Sequence, residues 1–347
     1  TPPNDTYEIY DPAVGFNPPA PAPIVMETDP YCLFPFTFVL PNGKLFVHAN
    51  TSTRFLDLTH WSWDATLLTT VSGTARTYPS TGTAVLLPLL PGTSGASPAY
   101  NARVLLIGGA GVSCPSPGNA DSPATGTCEI LDVGSGGGWQ PAATMPHARV
   151  MPDAVLLPDG TVLVTNGSST GVADNGINPV LEADLYDPAT DTWTTMAAMR
   201  VPRLYHSTAL LLPDGRVLTA GKDEEFNPYP FNYPEYRIEV FSPPYLFKGP
   251  RPTITAAPGA IGYGATFEVE TPDGGTVAAA CLMAPGAATH SFNMGQRHVG
   301  LTVAAAAGGS VWLVAPPDAN VAPPGYYMLF LLSAAGVPSV GKFVQLG

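Results

Sequence analysis

The sequence predicts an all-β protein. Residues 1–248 read as four repeated, four-stranded units of the β-propeller type, and residues 249–347 as an immunoglobulin-like β-sandwich. Three observations carry this reading. One hairpin pattern recurs through the first two-thirds of the chain. Gly (36) and Pro (40) make up over a fifth of the 347 residues, well above ordinary usage, which leaves little room for helix. No segment sustains a 3.6-residue apolar period.

The repeat starts with an aromatic residue or Met, then Pro or His. An apolar stretch, Leu-Pro-Asp/Asn-Gly and a second apolar stretch follow. Residues 34–48 read FPFTFVLPNGKLFVH, residues 151–165 MPDAVLLPDGTVLVT and residues 205–219 YHSTALLLPDGRVLT. A looser copy begins at Tyr78, and its second strand returns late as ARVLLIGG at 102–109. Phe34, Tyr78, Met151 and Tyr205 thus share one position. The Pro-Asp/Asn-Gly corners suit tight reversal because Gly accepts a positive φ. Third strands end in Tyr-Asp-Pro-like stops, as in EADLYDP at 182–188 and RIEVFSP at 237–243. Trp139 and Trp193 mark fourth strands. Four strands per repeat is the pattern of a propeller blade.

TYEIYDP at 6–12 reads as the outer strand of a fifth unit whose other strands are absent. Propellers close into rings, with six or seven blades usual for such a period. The four units therefore predict an incomplete ring, with its remaining blades on another chain or removed. Thr1-Pro2-Pro3 accordingly reads as a mature or truncated terminus. Pro250-Arg251-Pro252 marks the boundary to about 100 residues of short strands. That length and strand count fit a sandwich, and the missing Cys–Trp–Cys signature excludes the antibody type.

Composition narrows the function. Lys plus Arg is 14 against 27 Asp plus Glu, a net charge of −13, so there is no basic stripe for nucleic acid. No apolar run reaches the roughly 18 residues of a membrane helix. With 45% hydrophobic residues the chain can bury a core. The acidic balance and low Lys content fit a secreted, extracellular protein. Cys114 and Cys128 bracket a polar loop and are expected to form a disulfide, two free thiols being the alternative. Cys32 and Cys281 sit in apolar stretches as free thiols. Sequons at Asn4, Asn50 and Asn166 agree with glycosylation, although such tripeptides are common by chance.

Chemistry centres on few residues. Of six histidines, His206 follows Tyr205 at the start of an innermost strand, where a propeller opens on its central channel. The pair is either a hydrogen-bonded channel lining or part of a site. His290 lies in a turn, Ala288-Thr289-His290-Ser291-Phe292, that would have to reach back to the axis. Two imidazoles and a phenol from distant segments make a nitrogen/oxygen set suited to Cu(II). Tyr78, Arg149 and Met151 lie at equivalent strand starts. They are candidates for lining the channel, with packing or latch roles equally open.

With these residues in view, the chain resembles the C-terminal two-thirds of the glyoxal oxidase and galactose oxidase family of copper radical oxidases. The resemblance rests on ETDPYCLFPFTFVLPNGKLFVHAN, ARVMPDAVLLPDGTVLVTNG, PRLYHSTALLLPDGRVLTAG, FSPPYLFKGPRP, ATHSFNM and PPGYYMLFLLSAAGVPSVGKFVQL, in the family's order. It implies a seven-bladed, kelch-like propeller followed by an immunoglobulin-like domain. It implies one copper ion, with Tyr205 as axial ligand and catalytic base and His206 and His290 as equatorial ligands. The family's radical cofactor, a tyrosine thioether-linked to a cysteine, falls upstream of Thr1 and is not encoded in this chain. Tyr78 and Cys32 lie in the wrong blade to replace it. The implied reaction oxidises small aldehydes or alcohols with O2 to give H2O2, once a companion chain or N-terminal segment completes the propeller. The chain alone is expected to be inactive. The alternative is an inactive structural module of an extracellular wall, sheath or filament. A lectin-like binding propeller has only the fold in its favour.

Overall fold

The structure is a computed structural model of the 347-residue chain and describes residues 6–21, 34–92, 100–111, 118–173, 175–223 and 233–347. Four antiparallel sheets follow one another, each with its strands in essentially sequential order. Sheet I comprises Phe36–Val39, Lys44–Ala49 and Ser52–Asp57, with Ser62–Trp63 and Leu68–Thr69 both pairing to the third strand. Sheet II comprises Thr83–Leu86, Arg103–Ile107, Cys128–Asp132 and Gln140–Ala142. Sheet III comprises Asp153–Leu156, Val162–Thr165, Glu182–Asp187 and Thr192–Ala198. Sheet IV comprises Thr208–Leu211, Val217–Ala220 and Glu239–Phe241. Sheet I therefore has one strand more than the four expected, and sheet IV, among the described residues, one fewer. No α-helix occurs among the described residues. Short 3-10 turns lie at Val133–Ser135, Pro244–Phe247 and Gly274–Thr276. No helix is long and apolar enough to cross a membrane.

The three Pro-Asp/Asn-Gly corners fold alike. Gly43, Gly160 and Gly215 take φ of 77°, 88° and 81°. Each glycine N–H donates to the carbonyl three residues before it, on Leu40, Leu157 and Leu212, at 2.9–3.0 Å. The looser copy also forms its hairpin, with Leu86 opposite Val104. The strands Thr83–Leu86, Asp153–Leu156 and Val162–Thr165 are buried at every residue. They therefore read as near-continuous apolar runs rather than alternating ones.

The segment 6–12 departs from expectation. Thr6–Tyr7 pairs with Ala20–Pro21, and Tyr10–Asp11 with Gly15–Phe16. It forms two short hairpin contacts and, among the described residues, is not the outer strand of a larger sheet. The close sequence separation of these partners makes local pairing the shorter route.

Two further expectations fail on burial. The Cys114–Cys128 disulfide is not formed. Cys128 is a free thiol that opens a strand of sheet II and packs in the apolar cluster with Val85, Ile107 and Met145. Cys114 lies outside the described residues, as do Cys32 and Asn4. Asn166 is fully buried, and its amide donates to Asp153 Oδ2 at 2.6 Å while accepting from Thr219 Oγ1 at 3.0 Å. No glycan can be attached to that nitrogen in the folded chain. Asn50 is half-buried, in a left-handed turn with φ of 55°.

The C-terminal region forms one seven-stranded sheet. Its order is Ala260–Ile261, Lys342–Leu346, Gly325–Ser333, Val277–Ala284, Arg297–Ala307, Ser310–Val314 and Thr266–Glu270. The eleven-residue strand Arg297–Ala307 pairs with Val277–Ala284 through its first half and with Ser310–Val314 through its second. This sheet docks on the others rather than standing apart. One core cluster joins Phe36 and Phe46 of sheet I, Leu86 and Leu106 of sheet II, and Leu282, Val299 and Leu313 of the C-terminal sheet. Leu89 bridges to Val299, and a Cβ at Gly300 would meet Leu90 Cδ2 at 3.0 Å.

The loop 285–296 of that sheet is pinned from three sides. Gln296 donates to Ala154 O at 2.8 Å and accepts from Leu156 N at 2.9 Å in sheet III. Thr83 Oγ1 of sheet II donates to Ser291 O at 2.6 Å. The Thr37 amide of sheet I lies 2.9 Å from Met294 Sδ.

Candidate metal centre

The pinned loop delivers His290. Thr289 and Phe292 close a tight turn by exchanging backbone hydrogen bonds, at 2.9 and 2.8 Å. His290 and Ser291 at its tip take left-handed φ of 53° and 68°. Opposite stands the turn that opens sheet IV, where His206 takes φ of 61°. Gly221 backs that turn so closely that a Cβ would sit 2.8 Å from the His206 carbonyl oxygen. The requirement for glycine there is thus steric as well as conformational.

The two turns bring their imidazoles together across 84 residues of sequence, with His206 Nε2 2.9 Å from His290 Nε2. The Tyr205 ring stacks on His206 at 4.0 Å between centroids and stands edge-on to His290 at 5.3 Å. His290 Nδ1 is held by Thr289 Oγ1 at 2.7 Å, which leaves its Nε2 as the outward-facing atom. Partial burial, and after it the neighbouring His206, lowers the pKa of His290, so the neutral ring is favoured. Among the described residues no group of three or more His, Cys, Asp or Glu side chains gathers in metal-binding fashion. The converging set is two imidazoles and one phenol.

This geometry can be tested against a metal. Two nitrogens at right angles, each about 2.0–2.1 Å from one ion, lie about 2.8–3.0 Å apart. The observed 2.9 Å falls in that range, so the two imidazoles could share one ion.

Tyr205, His206 and His290 open on one cavity, which Phe34, Tyr78 and Met151 also line. All four repeat-start residues therefore reach the same space. Arg149 does not. It is fully buried behind the cavity, donating to Asp184 Oδ2 at 2.6 Å and to the carbonyls of Asn166, Glu182 and His147. It is a latch between strands, the second of the roles the sequence left open for it.

A model of the glyoxal oxidase N-terminus matches residues 7–245, and a model of the galactose oxidase-like early set domain matches residues 251–346. The chain belongs to the glyoxal oxidase family. Among curated relatives, an aldehyde oxidase of Vitis pseudoreticulata is 37% identical over 336 residues, covering 90% of this chain and 62% of the relative. An aldehyde oxidase of Arabidopsis thaliana is 35% identical, covering 90% and 55%. A galactose oxidase of Gibberella zeae is 32% identical over 268 residues, covering 72% and 36%. The chain thus spans about three-fifths of the length of the grapevine relative, and less of the other two. A fungal alcohol oxidase solved in complex with copper superimposes with a TM-score of 0.76 at 26% identity, covering 98% of this chain and 70% of that one.

Two features of this glyoxal oxidase family member escape single-residue reading. The first is a series of arginines two positions before a repeat-start residue. Arg76 pairs with Glu129 at 3.2 Å, Arg149 with Asp184 at 2.6 Å and Arg203 with Glu239 at 3.2 Å. All three side chains are fully buried, and each donates to the carbonyl just past the second strand of the sheet that follows it, on Gly108, Asn166 and Gly221. The signal was present as Arg-x-Tyr/Met-Pro/His at 76–79, 149–152 and 203–206. The second is Asp153, the first residue of sheet III, which lines the same cavity as the imidazoles. Burial pushes its carboxyl up to about 7, against the hydrogen bonds from Asn166 and Ser207. Its hydrophobic context, Met-Pro-Asp-Ala-Val-Leu, hid it as one polar residue in a strand.

Proposed function

We propose that this chain is the C-terminal part of a secreted copper radical oxidase of the glyoxal oxidase type. Its four sheets would be four blades of a seven-bladed, kelch-like propeller, and its C-terminal sheet an immunoglobulin-like domain. Tyr205, His206 and His290 would hold one copper ion. The observation that carries this reading is the 2.9 Å approach of two Nε2 atoms from separate turns, beside a phenol. The family membership and the copper-bound structural relative support it.

Copper bound there would supply a redox-active Lewis acid that makes a neighbouring phenol easier to ionise. The chain's own residues would do the rest. Tyr205 Oη would take the hydroxyl proton of the substrate. Thr289 would keep His290 in one tautomer. Phe34, Tyr78 and Met151 would pack the substrate's carbon body and exclude water. For a hydrated aldehyde the overall change is balanced: the hydrate and O2 give the carboxylic acid and H2O2. The radical Tyr–Cys pair is expected on the part of the protein that the relatives carry and this chain does not match, whether as an N-terminal segment or a companion chain.

The test is copper loading of the isolated chain, followed by metal analysis and electron paramagnetic resonance. One Cu(II) per chain with nitrogen hyperfine structure is expected, and His290→Ala should remove most of the binding. Oxidase activity should appear only when the segment carrying the Tyr–Cys pair is present. A chain that binds no copper would put the structural-module reading in front.

A further inference from the structure

Four carboxylates are buried among the described residues: Glu129, Asp153, Asp184 and Glu235. Three are matched by arginine. Glu129 has Arg76 at 3.2 Å, Asp184 has Arg149 at 2.6 Å and Glu235 has Arg237 at 2.5 Å. Among the described residues Asp153 forms no ion pair with Lys or Arg. It is 3% exposed, and its Oδ2 accepts from Asn166 Nδ2 at 2.6 Å and from Ser207 Oγ at 3.3 Å. Both partners are neutral. A buried carboxylate with neutral partners alone is a costly arrangement, because desolvation is opposed by no nearby positive charge among the described residues.

Its location supplies the missing charge. Asp153 lines the cavity that holds Tyr205, His206 and His290. Ser207, which donates to it, directly follows His206 in the chain. Two neutral imidazoles bring no negative charge to a divalent ion, and one phenolate brings a single one. We infer that Asp153 is the outer-sphere counter-charge of the metal centre: a carboxylate kept without an arginine so that the cation completing its ion pair is the bound Cu(II). It would act through space and through Ser207 rather than as a ligand. The inference rests on the copper reading above and extends it to a residue outside the ligand set.

A counter-charge and a structural polar group predict different things for Asp153→Asn. The substitution keeps the shape and can still accept from Asn166 and Ser207, but it removes the charge. The experiment compares the unaltered chain, Asp153→Asn, Asp153→Ser and His290→Ala. It measures Cu(II) affinity by chelator competition and the thermal midpoint of each metal-free chain. As a counter-charge, Asp153 predicts opposite movements in Asp153→Asn. Copper affinity falls roughly tenfold or more, while the metal-free midpoint holds or rises because an uncompensated buried charge has gone. Asp153→Ser, smaller but also uncharged, should lose copper affinity to a similar degree. Copper affinity within twofold of the unaltered chain in both variants would overturn the inference and leave the copper reading intact. A joint fall in affinity and metal-free midpoint in Asp153→Asn would overturn it in favour of a purely structural hold. An unaltered chain that binds no copper, or His290→Ala that binds it equally well, would defeat the copper reading and this inference with it.

Discussion

His298 shows how one buried ring couples stability to pH. It is 4% exposed, its Nε2 lies 3.2 Å from Pro158 O, and its Nδ1 has no hydrogen-bond partner among the described residues. Burial lowers its pKa to about 4. The unfolded chain would take a proton near the ordinary value of about 6.5, whereas the native chain resists until about 4. Protons therefore favour the unfolded state as pH falls through that window, and the ring's contribution is intact above it. At pH 5 the loss should be about 2 kcal/mol. Urea unfolding at pH 7.5 and pH 5 should show a smaller decline in a His298→Gln chain than in the unaltered one; equal declines would refute the assignment. Cys128 and Cys281 permit a second check. Burial raises both thiols, that of Cys128 to about 12. Neither should react with a thiol reagent in the native chain, and both should react after unfolding without reductant. A Cys128 that needs reductant even then would restore the disulfide. Single residues were legible in proportion to how little their roles depended on burial. Tyr205, His206 and His290 stood out as polar groups at turns, where packing gives them little reason to be. The Asn166 sequon misled because a tripeptide carries no information about depth.

The repeated hairpin was the most legible element, since its corner needs a positive φ that glycine alone adopts freely. What the hairpin rests on was hidden. Each arginine latch joins residues dozens of positions apart, 35 in the case of Arg149 and Asp184, and no local pattern announces the acidic partner. Replacing Arg149 with Ala strands the Asp184 charge, with only His147 and Thr195 among the described residues left on its carboxylate. The expected penalty is about 3–5 kcal/mol, read from the denaturation midpoint, and an Arg149→Met, Asp184→Leu double variant should recover much of it. A penalty below about 1 kcal/mol would show the latch to be ornamental. Gly221 makes a sharper test of the His206 turn. In Gly221→Ala the new methyl meets the His206 carbonyl oxygen at 2.8 Å, with φ of 76°. Copper affinity should fall more steeply than overall stability, because the displaced backbone carries the imidazole.

Across the whole molecule, the boundary near residue 249 is plain in the sequence, yet the packing ignores it. Phe36, Leu86, Leu282 and Leu313 share one core cluster, so the C-terminal sheet cannot loosen without uncovering sheets I and II. Calorimetry should therefore give a single unfolding transition for residues 1–347, and two well-separated peaks would contradict this picture. The sequence could announce two regions because composition changes at the Pro-Arg-Pro corner. It could not announce their union, which depends on matching apolar surfaces rather than on any motif. That union sets a timetable. His206 leaves the ribosome 84 residues ahead of His290. At about 5–20 residues per second, the earlier imidazole waits roughly 4–17 s for its counterpart. Even then the loop must be clasped by Gln296, Thr83 and Met294 before the two nitrogens meet. If this pair holds the metal, a nascent chain could not present it in this geometry until its last sheet has docked, and metal acquisition there would be a late step of maturation rather than a seed for folding.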